Sequence, residues 1–95
     1  MTNETYMNHP NFGLLYRVCL IEIENKKNKK ELFTTLYAQR LFFLVVTNEI
    51  GVIKFEPVSR SEARLMVEIR LRLLRRNSQM DDYRKLQQVH KNTFQ

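Results

Sequence analysis

Apolar residues crowd the first part of the chain at the close spacing of strands and spread through the last part at the wider spacing of helices. Asn8-His9-Pro10-Asn11 reads as a turn, because Pro10 fixes its own φ and steers His9 away from the helical region. Leu14 to Ile23 follows as a strand. The crowded lysines of Lys26-Lys27-Asn28-Lys29-Lys30 repel one another and hold water, which places them in a hairpin loop. Glu31 to Val46 is longer than an ordinary strand. The polar interruption at Tyr37-Ala38-Gln39-Arg40 predicts a bend that divides it. In the second piece Leu41, Phe43 and Val45 face one side and Phe42, Leu44 and Val46 the other, so both faces are expected to be covered. Asn48-Glu49-Ile50-Gly51 is a turn. Val52 to Glu56 is the last strand, ended by Pro57.

From Ser59 the period changes. Ser59-Arg60-Ser61-Glu62 fits a capping box, in which hydroxyl and carboxylate each satisfy a backbone amide of the first turn. Ala63, Met66, Val67, Ile69, Leu71, Leu73 and Leu74 spread over a broad apolar arc suited to a helix with two neighbours. Arg64, Arg72, Arg75 and Arg76 fall opposite, and Arg70 within the arc. Asn77-Ser78 breaks the helix. Ser78 is expected to cap a second one, with Asp81 and Asp82 in its first turn. Met80, Tyr83, Leu86 or Gln87, His90 and Phe94 form a narrow stripe, and the short link favours an antiparallel pair. The expected architecture is α+β: a small Tudor-like (SH3-like) five-stranded β-barrel over residues 1–57, then a C-terminal helical hairpin over 59–95.

Composition narrows the functions. A 95-residue chain has room for one core and little for a deep catalytic cleft. The lone cysteine, Cys19, excludes an internal disulfide, fits a reducing cytoplasm, and reads as a buried small hydrophobe. Met1 to His9 is polar, without an apolar signal segment, and no apolar run has the length to cross a bilayer. His9 and His90 are isolated, and the two glycines build no phosphate loop. No catalytic, metal or cofactor constellation emerges, so the reading is not an enzyme. The net charge of +6 suits nucleic acid, an acidic surface or an acidic protein, and does not choose among them. Eight aromatics (Tyr6, Phe12, Tyr16, Phe33, Tyr37, Phe42, Phe43 and Phe55) exceed what so small a domain can bury. Those left exposed near Gln39 and Arg40 would bind a protein, or stack on RNA.

The segments Tyr6 to Cys19 (YMNHPNFGLLYRVC) and Glu31 to Val45 (ELFTTLYAQRLFFLV) resemble the PipX family, as do Phe55-Glu56-Pro57, Glu62-Ala63-Arg64, Arg70-Leu71-Arg72 and Leu86-Gln87-Gln88-Val89. Leu20 to Lys30 departs from the family pattern, as a longer and more basic hairpin. The resemblance implies a Tudor-like barrel with two C-terminal helices. It further implies a coactivator that binds the 2-oxoglutarate-bound, active form of the transcription activator NtcA, and that the signalling protein PII captures when nitrogen is abundant. Carried onto this chain, the shared docking surface comprises Tyr6, Phe12, Leu14, Tyr16, Arg17, Tyr37, Gln39, Arg40, Leu41 and Phe43. The basic helices would be free to reach RNA polymerase or another regulator. A small basic RNA- or ribosome-binding module is the alternative from the residues alone.

Overall fold

The structure is a computed structural model that describes residues 5–23, 28–35 and 41–94. Five strands, β1 (Tyr6–His9), β2 (Gly13–Ile23), β3 (Lys29–Thr35), β4 (Phe42–Thr47) and β5 (Ile53–Val58), form one antiparallel sheet in sequence order. Two helices follow, α1 (Arg60–Arg76) and α2 (Met80–Phe94). The sheet curls into a half-barrel, the α+β, Tudor-like arrangement expected, with β1 and β5 as its two edges.

Both faces of the middle strands are buried, as the doubly apolar β4 required. On the convex face Val18, Cys19, Leu32 and Phe42 pack against Ala63, Val67, Leu74, Leu86 and Phe94 of the helices. On the concave face Leu15, Phe33, Phe43 and Val45 make a second core, closed by Met7 and Phe55. Strand alternation alone would send Val18 and Cys19 to opposite faces. A register shift between Arg17 and Cys19 puts both against the helices, and Ile21, two residues past Cys19, lies beside them.

Several boundaries differ from the sequence reading for definable reasons. Asn8 and His9 extend β1 and pair with Leu14 and Gly13. The turn is therefore Pro10 to Phe12, with Gly13 at a φ of +76°. Lys29 and Lys30 belong to β3 instead of the loop. Their charge is offset locally, Lys29 lying 3.5 Å from Glu31 and Lys30 3.8 Å from Glu22. β5 runs through Pro57 to Val58. The Asn48 amide donates to the Val52 carbonyl. Bonded pairs recur at every second position along β4 and β5, so the Phe43–Pro57 pair is non-bonded and the Pro57 nitrogen faces the open edge.

Ser59 caps α1 in a full capping box: its hydroxyl accepts from the Glu62 amide at 3.0 Å, and the Glu62 carboxylate accepts from the Ser59 amide at 3.1 Å. Ser78 is not the cap of α2. It closes α1 instead, with a φ of +59°. Its amide donates to the Arg75 carbonyl and that of Gln79 to the Leu74 carbonyl, a Schellman arrangement that normally takes glycine. The Gln79 carbonyl then accepts the first bond of α2, from Tyr83. On α1 the inward face is narrower than the predicted arc, for Ile69 and Leu73 are exposed. On α2 the seam is Tyr83, Leu86, Val89, His90, Thr93 and Phe94, while Met80 and Gln87 stay outside.

Candidate protein-docking surface

Arg17 aside, the described residues of the expected docking surface fall into two groups, set by the strand pleat. Tyr6, Tyr16, Thr34, Phe42 and Val58 are successive register partners and so share the convex face. Tyr6 and Tyr16 meet edge to face, with ring centroids 5.6 Å apart. Leu14 lies on the same face two residues from Tyr16, opposite Asn8. Tyr6 is exposed and Leu14 and Tyr16 half-buried.

The second group gathers around the mouth of the half-barrel. Phe12 and Leu41 are 49% and 39% exposed, large apolar groups left in water. With Phe42, Phe43, Pro57, Val58, Ser59 and Arg60 they line a mainly apolar groove of about 380 Å³. Phe43 is only 3% exposed. It serves as the floor under Phe12, their rings 5.5 Å apart, and not as a projecting contact. Thr34 and Thr35 fasten the start of β4: the Thr34 hydroxyl donates to the Leu41 carbonyl at 3.0 Å, and the Leu41 amide donates to the Thr35 hydroxyl at 2.9 Å.

Arg17 joins neither group. Its Nε lies 2.6 Å from the buried Glu31 carboxylate, an ion pair without hydrogen-bond alignment, so its charge is engaged within the fold. Tyr37, Gln39 and Arg40, the expected centre of the surface, lie outside the described residues, between Thr35 and Leu41.

The organising residue of the mouth is one the sequence reading passed over. His9 Nδ1 accepts from the amides of Asn11 at 3.0 Å and Phe12 at 3.3 Å. Its ring centroid is 5.0 Å from those of Phe12 and Phe43 and 4.7 Å from that of Phe55. The imidazole thereby bridges β1 to β4 and β5 and sets the turn that presents Phe12. The available signal was its place before Pro10, where a side-chain acceptor can satisfy the amides of a following turn.

A family model, PipX (PII-interacting protein X), matches residues 3–94. The chain belongs to the PipX family. The match spans both the curled sheet and the helical pair, including every residue of the two surface groups. No curated protein matches the sequence.

Among the described residues no cluster of three or more His, Cys, Asp or Glu could hold a metal. Burial pushes the Cys19 thiol up to about 12, against the smaller opposing pull of Arg70 and Arg17, so it stays protonated at neutral pH. No helix among the described residues is long and apolar enough to cross a membrane.

Proposed function

We propose that the chain is a non-enzymatic adaptor that binds the signalling protein PII through the mouth of the half-barrel. The same surface would bind and stabilise the 2-oxoglutarate-bound, active form of NtcA, so that the two partners compete for it. The observation that carries the reading is the family match across residues 3–94, set beside the exposed Phe12 and Leu41 flanking an apolar groove. Large apolar side chains around a preformed groove are the usual centre of a protein interface. Tyr37, Gln39 and Arg40 complete the proposed surface, Arg40 offering a planar fork of donors to carboxylates or carbonyls. The helices would remain available for RNA polymerase or another regulator.

Coactivation reduces to a difference in affinity. An adaptor shifts NtcA toward its active form only as far as it binds that form more tightly than the inactive one. Metabolite sensing would then reside in the partners, and the adaptor would report which of them is competent.

Calorimetry tests the reading. The chain should bind PII with ADP, bind NtcA with 2-oxoglutarate, and be displaced from one by the other. Arg40→Ala should weaken both by about tenfold or more, as the loss of a charge-assisted hydrogen bond does. Unchanged affinity for both would remove the shared surface, and a ternary complex on one copy would remove competition. Steeply salt-dependent binding to generic RNA would instead favour the nucleic-acid module.

A further inference from the structure

α1 carries two apolar faces, and the fold uses one. Ala63, Val67 and Leu74 are buried against the sheet and α2. Glu68 reaches α2 through His90, 3.2 Å away, and Arg60 through the Thr93 carbonyl at 3.2 Å. These contacts define the sheet side and the α2 side of the helix. Between them, facing outward, stand Leu65, Ile69 and Leu73, respectively 53%, 46% and 37% exposed. Their four-residue spacing stacks them in one ridge over three successive turns. A single exposed leucine is ordinary, but an unbroken aliphatic ridge on a helix already packed elsewhere is not.

The charges beside the ridge indicate what fits it. Arg72 and Arg76 lie along the same outward face, exposed, and neither forms an ion pair among the described residues. Arg64, by contrast, is held by Glu68 at 3.2 Å. We propose that the Leu65–Ile69–Leu73 ridge, with Arg72 and Arg76 beside it, docks an acidic amphipathic helix presented by a partner protein. A partner helix of about three turns would cover the ridge and bring carboxylates to both guanidiniums.

Three other occupants fit less well. A second copy of the chain would bring together two bodies of charge +6. A lipid surface calls for a broad face with aromatic anchors, and the ridge is narrow and wholly aliphatic. Nucleic acid would use the arginines but leave the ridge in water. The proposal does not rest on the sensor-binding reading, since the ridge lies on α1 and not at the barrel mouth.

The test is an amide NMR titration of the full chain with a synthetic helical peptide bearing leucines on one face and glutamates flanking them. Saturable shifts confined to Leu65–Arg76 are expected, weakening with added salt. The peptide with lysine in place of glutamate should bind at least tenfold more weakly. Ile69→Gln, and separately Arg72→Glu with Arg76→Glu, should each lower affinity at least tenfold. Sheet shifts and PII affinity should be retained, which separates this surface from the barrel mouth. The proposal is overturned if α1 shows no saturable shifts or if both peptides bind alike. Shifts on α1 that grow with protein concentration alone would assign the ridge to a second copy. Stronger engagement by phosphatidylglycerol vesicles or an oligonucleotide would assign it to those surfaces, and either result equally overturns it.

Discussion

His9 shows how much of the proposed docking surface hangs on one side chain. Its Nδ1 serves two turn amides while its ring fills the space between Phe12, Phe43 and Phe55. His9→Ala should cost about 2 kcal/mol in urea unfolding, from lost ring packing and weakened turn bonding, and should loosen Phe12. PII affinity should therefore fall even if His9 touches no partner. Ser78 offers the opposite experiment. A residue with a Cβ is held there at a φ of +59°, a strain that glycine does not suffer. Ser78→Gly should raise stability by about 0.5–1 kcal/mol and leave partner binding unchanged. For His9 the only signal was its place before Pro10, and for Ser78 there was none. An isolated histidine gives no motif, and Asn77-Ser78 suits a helix start as well as a helix end. The aromatics were read correctly as too many to bury, but which ones remain outside depends on curvature that no single position encodes.

At the scale of elements, period and capping chemistry were legible, and irregular register was not. The change from strand to helix spacing located α1, and its capping box stands as the sequence implied. The shifts in β2 were hidden, because a bulge appears only against the partner strand. The helical pair is fastened near its end by Phe94, which stacks on Phe42 at 5.4 Å with the Arg60 guanidinium 5.6 Å over its ring. Phe94→Ala should cost about 3 kcal/mol. Hydrogen exchange should show α2 losing protection well before β3 and β4. Acid should act on the same region. Hydrogen bonds from Ser59 hold the Glu62 carboxyl below its ordinary 4.5, and those from His90 and Arg64 do the same for Glu68. Groups lowered in the folded state stabilise it fully above the unfolded value and lose that effect as pH falls through the folded one. Helical ellipticity should thus begin to fall below about pH 4.5, ahead of the sheet signal, in a circular-dichroism titration.

The whole molecule divides its labour by face. Helices cover the convex side of the sheet, the sheet's own curl fills the concave side, and the rim between them carries the groove with Phe12 and Leu41. Among the described residues no strand covers the outer margin of β5, and a bare margin is a template on which an identical molecule can add its own strand. Pro57 presents no N–H there, so a stacking copy meets a gap in the ladder it would need. Pro57→Val should restore that donor, and light scattering should then show the protein growing into filaments as its concentration rises. One pyrrolidine ring, placed where a central strand could not hold it, thus works against self-templated growth along that margin.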